Sequence, residues 1–391
     1  MPQEPIRWQE GGDMRRRPRV LAGAGLALAV ISLGAYVAAA SATSSKSTCA
    51  ATIGVMGGFT GARAAIGQEE LNFARLAVAR FNAQNNTKIR LVEGDIQVEP
   101  AKASVVAQQF ASNRKILAIV GPDASFAVDA AGLILTRAKM AFVSGSATRV
   151  SLTGGQYPTF FRVAPNDGVQ GPTDANFMIK TLKAKKVVLV DNQTDYSTGL
   201  NASVEKVLQS AGVSVTHLST STTQNDFSSA VATIASDVDV VFLPLEVPAN
   251  AQLFADQLAA QGKHPILFGA DSVFSPTDFH PEGAYASSFA PDIHELPADA
   301  ALVKAYKAKY GDFATPFGPV VYAAADVVLR AVKTACAQGT PTRARVLAAV
   351  RKTRIPNSIL GGTLRFTQHG EPANARFYVF KVVNGKYKLV P

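Results

Sequence analysis

Cysteine is nearly missing from this 391-residue chain: Cys49 and Cys336 are the only two. A disulfide-dense mini-fold and a cysteine-built zinc cluster are thereby excluded. Histidine is also scarce, and residues 217, 264, 280, 294 and 369 show no metal-ligand spacing. Phosphate-binding signatures are missing too. The glycine-rich stretch GVMGGFTGARAAIG (54–67) follows a strand-like run and precedes a helix-like one, yet it holds neither G-x-G-x-x-G nor G-x-x-x-x-G-K-[ST]. There is no G-x-S-x-G elbow. No nucleophile–base pair can be named, so catalysis is not expected. After position 20 no Lys/Arg block carries interleaved aromatics, which argues against nucleic acid as a partner. Charged residues make up only 17% of the chain against 47% hydrophobic, the balance of a globular protein with ample core. The length suits two domains.

The formal net charge is +10, but residues 1–42 contribute five Arg against Glu4, Glu10 and Asp13. The remainder carries 34 basic and 26 acidic residues, a solvated and mildly basic surface. Those first 42 residues stand apart. MRRRPRV (14–20) leads into a run without charge from position 20 to 45, with the small-residue ending Ala40, Ser41, Ala42. A basic, then apolar, then small-residue order describes an export signal. The apolar run is also long enough, at roughly 20 residues, to anchor the chain in a bilayer uncleaved. Either way the remainder is expected outside the cytoplasm, periplasmic or at the cell surface, where a disulfide is permitted. Cys49 precedes the first strand and Cys336 ends a helical run at 319–337. If that helix packs antiparallel to a sheet, its end returns to where strands begin, making the two cysteines neighbours. The alternative is two unpaired thiols.

From residue 51 the chain alternates strand and helix patterns. Strands are expected at 51–56, 89–92, 117–120 and 141–143, with a loop at 57–67 and helices at 68–84 and 99–113. Around 161–173 the periodicity stops and Pro, Gly and Asp take over, as in a crossover between lobes. A second series follows: helix 169–183, strand 186–190, helix 197–211, strand 213–217, helix 226–236, strand 238–243, helix 249–261 and strand 265–268. Residues 283–297 read as loop. Helices at 299–310, 319–337 and 341–354 precede late strands at 362–366 and 377–383. Two strand–loop–helix series give an α/β protein of two doubly wound parallel-sheet lobes. With the Cys336 helix returning to the first lobe, the chain crosses more than once, a multi-crossover hinge. The expected partition is 49–163 with 288–370 for one lobe, and 164–287 with 371–391 for the other.

The stretch 117–153 is the most informative. Two strand ends there deliver Ser125, Ser146 and Thr148, with free backbone N–H groups, to the carboxyl edge of a sheet, where open α/β sheets bind ligands. Helix N-termini at that edge favour an anion such as a carboxylate. Ser and Thr also cap helices without any ligand. Asp95 and Asp271 stand at other strand ends.

Several pieces, in order and spacing, resemble the solute-binding proteins of ABC importers for branched-chain amino acids, which have the type I periplasmic binding fold. They are GFTG (58–61), Gly94 and Asp95 with EPAKA (99–103), IVGPDAS (119–125) and VSGSATRVSLT (143–153). The others are FRVAPNDGVQGPTDANF (161–177), DNQTDYSTGL (191–200), NDFSSAVATI (225–234) and FGADSV (268–273). The resemblance runs from about 52 to 385. It implies a non-enzymatic protein without cofactors that captures an amino acid or relative between its lobes and offers it to an ABC permease. A sensory ectodomain of the same fold, anchored by residues 20–42, is the alternative. Ser125, Ser146, Ala147 and Thr148 fall where the family holds the ligand's α-carboxylate and helps hold its ammonium. Tyr196 falls on the aromatic that closes over the ligand. Asp271 matches the acid facing the ammonium, in place of the more familiar Glu. Ile66 departs from a position often held by Tyr or Trp, and Glu246 stands where a second-lobe aromatic is common. Glu246 either salt-bridges across the mouth or recognises a second cationic or polar group on the ligand.

Overall fold

A computed structural model describes residues 48–391 apart from Ala375. The expected export or anchor segment, 1–42, lies outside the described residues. No helix among the described residues is long and apolar enough to cross a membrane.

The first sheet and its helices take up the first third of the described chain. They run β1 (Ala50–Gly57), α1 (Ala64–Asn85), β2 (Lys88–Asp95), α2 (Pro100–Ser112), β3 (Ile116–Val120), α3 (Ser125–Arg137), β4 (Ala141–Ser144) and β5 (Phe160–Arg162). The five strands are all parallel, in the order β2-β1-β3-β4-β5. Every residue of β3 and β4 is buried, as both-sided burial of a parallel sheet requires.

The chain then enters a second sheet through α4 (Asp167–Lys180), β6 (Lys186–Asp191), α5 (Asp195–Ser210), β7 (Ser214–Ser219), α6 (Ser228–Ala232), β8 (Val240–Leu243), α7 (Pro248–Ala260), β9 (Ile266–Gly269) and β10 (Tyr285–Ser288). Asn166 accepts a hydrogen bond from the Gly168 N–H to start α4, and Thr194 does the same for the Ser197 N–H at α5. It next returns to the first sheet with α8 (Ala300–Tyr310), α9 (Phe317–Ala337), α10 (Arg343–Arg351) and the two-stranded β11 (Arg354–Ile355) and β12 (Leu364–Arg365). β13 (Tyr378–Val383) and β14 (Lys386–Leu389) end the chain as antiparallel edge strands of the second sheet, ordered β14-β13-β10-β9-β8-β6-β7. The chain thus passes between the sheets three times.

Helices cover both faces of each sheet. One core joins the β1 and β3 face to α1, α9 and α10, and a second joins the opposite face to α2 and α3. The second sheet has matching cores under α4 with α5 and under α6 with α7. The amphipathic α9 does the most covering, burying residues such as Val320, Ala324, Val328 and Val332 at helical spacing. Its far end meets β1: Cys49 and Cys336 form a disulfide with Cα atoms 5.6 Å apart, so the two-thiol alternative falls.

Five expectations need correction. The 283–297 stretch, read as loop, contains β10, whose YASS sequence lacks β-branched bulk but is paired on both sides. The 226–236 helix shrinks to the five residues of α6. Neither β5, at the edge of the first sheet where the sequence periodicity stops, nor the edge strand β14 was expected. The loop expected through Gly67 ends early, because α1 already begins at Ala64 and Gly67 packs on loop backbone: a Cβ there would meet the Gly58 carbonyl oxygen at 1.9 Å.

Candidate functional site

The carboxyl ends of both sheets face one small cavity. Arg63, at the entry to α1, lines it with Asp123, Ala124 and Ser125 after β3, Ser146 after β4, and Phe317 at the start of α9. From the other sheet come Tyr196 in the first turn of α5, Glu246 after β8, and Asp271 and Ser272 after β9. Five of the seven expected ligand residues, Ser125, Ser146, Tyr196, Glu246 and Asp271, therefore meet at one point. Ala147 and Thr148 are not in the lining. Ala147 is fully buried in the α2–α3 core, and its carbonyl accepts from the Arg162 guanidinium at 3.0 Å. Thr148 is buried, its hydroxyl has no partner among the described residues, and its carbonyl accepts the Asp167 N–H at 2.9 Å.

Glycine shapes the first wall. Gly121 has φ +104°, and a Cβ there would meet the Met56 carbonyl oxygen at 2.2 Å, so the turn after β3 closes onto β1 only without a side chain. Asp123 fastens the opposite loop, accepting the Gly58 N–H at 2.9 Å, and its own carbonyl accepts the Ser146 hydroxyl at 2.7 Å. Asp95, noted above at a strand end, ties down the GFTG loop, accepting from the Phe59 N–H at 2.9 Å and the Thr60 hydroxyl at 2.5 Å.

The expectation of free N–H groups after β4 is corrected. The Ser146 and Ala147 N–H groups donate to the Ser144 hydroxyl at 3.3 and 3.0 Å, because the last residue of β4 closes its own turn. The Ser125 hydroxyl oxygen accepts the Arg149 N–H at 3.2 Å, leaving its proton to donate. Ser125 also opens α3, whose N-cap residue Ala124 offers no side-chain cap, so the positive end of that helix dipole borders the cavity.

Opposite lies the acidic wall. The Tyr196 hydroxyl donates to Asp271 Oδ1 at 2.7 Å. Burial and the Asp271 charge push Tyr196 well above its ordinary range, keeping it a neutral donor. Burial pushes Asp271 up to about 6, against the hydrogen bonds from Tyr196 and Gln170. It also raises Glu246, opposed by the charge of Arg63.

Arg63 was missed by the sequence reading, which placed it inside a featureless Gly-rich loop. It is 7% exposed, its guanidinium carbon lies 5.2 Å from the centroid of the Phe317 ring, and its Nε has no partner among the described residues. Burial works against its charge, but the carboxylates of Asp123, Glu70, Glu246 and Asp271 outweigh that and raise its pKa. Behind it Glu70 is fully buried, and burial together with the Asp123 charge drives its pKa well up. A lone cation in the loop between a strand and a helix was the available signal.

The cavity measures about 20 Å³, room for a water molecule but not an amino acid, so the two walls meet closely. Behind the site, Arg162 at the end of β5 is fully buried. Its Nε donates to Glu371 at 3.0 Å and its Nη1 to the Arg149 carbonyl at 2.7 Å, tying the first passage between sheets to the third.

The leucine-specific-binding protein of Salmonella typhimurium is 25% identical over 338 residues, covering 84% of this chain and 90% of that protein. The Leu/Ile/Val-binding protein of Escherichia coli K12 is 26% identical over 281 residues, 70% of this chain and 76% of its own length. The branched-chain amino acid transporter substrate binding protein of Streptococcus pneumoniae, solved with isoleucine, superposes with a TM-score of 0.76 at 25% identity, covering 87% of this chain and 99% of that one. Residues 50–386 match the periplasmic binding protein family, with its parallel-sheet α/β type I fold, and the chain belongs to that family of solute-binding proteins.

Proposed function

We propose that this protein is exported and captures an α-amino acid or close relative between two lobes, then offers it to the permease of an ABC importer without altering it. The lobes are built on the two sheets, 49–163 with 288–370 and 164–287 with 371–391. The observation that carries this reading is the polarity of the cavity: the uncapped N-terminus of α3 with the Ser125 hydroxyl, whose proton is free to donate, on one wall, the Asp271 carboxylate on the other. A zwitterion fits that axis, with its carboxylate at the helix end and its ammonium at Asp271, both charge-assisted. Tyr196 holds Asp271 in place and covers the ligand. Because the walls meet closely, the ligand enters an open form and its contacts to both sides shift the balance toward the closed one.

A thermal-shift screen of the full chain against amino acids, amides and small aromatic acids tests this. A ligand at about a hundred times its dissociation constant adds roughly 2.7 kcal/mol of stability. A shift with α-amino acids is expected. Shifts confined to acids without an ammonium group would remove Asp271 from its role.

A further inference from the structure

The cavity holds more negative charge than a simple zwitterion can use. Asp123, Glu246 and Asp271 line it together with a single guanidinium, that of Arg63. All four side chains belong to residues at least nine-tenths buried, at 7, 4, 2 and 7% exposure. Their pairing with the protein is incomplete: Arg63 Nε, Asp123 Oδ1 and the Ser272 hydroxyl have no partner among the described residues. Asp123 Oδ2 is held by the Gly58 N–H and Asp271 Oδ1 by Tyr196. A buried carboxylate left without a counter-charge is costly, and of the two beyond the one assigned to the ammonium Arg63 can offset only one. An apolar side chain would bring them nothing. An acidic one would add a fourth carboxylate to a cluster with one cation.

We infer that the ligand is an α-amino acid with a cationic side chain, an ammonium or a guanidinium, whose far end is held by Glu246 and Asp123. This rests on the amino-acid reading above and narrows it. Phe317 supplies an apolar wall for the methylene stem of such a side chain. Arg63, its guanidinium carbon 5.2 Å from the centroid of the Phe317 ring, opposes the burial that raises Glu246, and a ligand cation would add to that opposition. Several carboxylate oxygens around one donor-rich group is the complement of a guanidinium fork or a three-donor ammonium.

Isothermal calorimetry on the full chain with L-arginine, L-lysine, L-leucine and L-glutamate tests this, repeated on E246Q and D123N. Arginine or lysine is expected to bind about tenfold or more tighter than leucine, as an extra charged hydrogen bond would give. In E246Q, and again in D123N, the ratio of basic-ligand to leucine affinity is expected to fall about tenfold. Leucine or glutamate binding tighter than both basic amino acids overturns the inference while leaving amino-acid capture standing. So does a preference for the basic ligand that both variants retain. No heat with any of the four ligands overturns the amino-acid reading itself, and this inference with it.

Discussion

Asp167→Asn is expected to stabilise the protein at neutral and alkaline pH and leave it unchanged in acid. Asp167 opens α4 where the chain leaves the first sheet, 1% exposed, and neither carboxyl oxygen has a partner among the described residues. Burial pushes its pKa from 3.8 up to about 7, and the Asp271 charge adds to the rise. Between about pH 4 and pH 7 the folded chain keeps a proton that the unfolded chain has already lost. The corresponding stability is fully present below the unfolded pKa and lost as pH rises through the folded one. A shift of about 3 units is worth about 4 kcal/mol, order of magnitude, above pH 7. Asparagine removes the charge, and the unpartnered Thr148 hydroxyl oxygen can accept from its amide. Urea unfolding across the pH range reads the difference. The variant should exceed the parent by several kcal/mol near pH 8 and match it near pH 4. Two curves that run parallel throughout, or a variant weaker at pH 8, would refute the reasoning.

Two further outcomes follow from the frame around the site. The Cys49–Cys336 bridge closes a loop with a sequence separation of 287, worth about 6 kcal/mol in the chain-entropy treatment. The double Cys→Ser variant should therefore unfold at clearly lower urea, and an unchanged midpoint would count against that contribution. Glu371→Gln leaves the fully buried Arg162 facing a neutral partner. In the parent, burial works to raise Glu371 but the Arg162 hydrogen bond and charge win and hold it below its ordinary range. Losing that pair should cost about 3 kcal/mol in the same assay, and a cost below about 1 kcal/mol would show the pair is dispensable.

The parts of the fold legible in sequence were those whose pattern is local. Apolar runs such as the one ending at Val120 declared buried parallel strands, and α9 declared its covering face by spacing. What escaped was settled by neighbours. β10 is a strand because β9 and β13 flank it, and β14 is an edge strand of four residues, whose Lys-Tyr-Lys-Leu alternation is too short to stand out although Tyr387 packs on Phe274. In the site, Ser125, Ser146, Tyr196, Glu246 and Asp271 each sit just past a strand, so topology alone brought them together. Arg63 was hidden because Gly67 allows α1 to approach the loop and start earlier than the glycine content suggested. Ala147 and Thr148 share the Ser146 turn, but Ser144 folds that turn so that they point elsewhere in the packing.

The central claim is that an amino acid's ammonium group is held by Asp271 between the two sheets, and a calorimetric titration of Asp271→Asn tests it most directly. Asparagine still offers an oxygen to the Tyr196 hydroxyl, so the fold and the closing aromatic stay in place. With the amino acid that shifts the parent's melting, affinity should fall about a hundredfold or more, the cost of breaking a buried charge pair. Unchanged affinity would contradict the account.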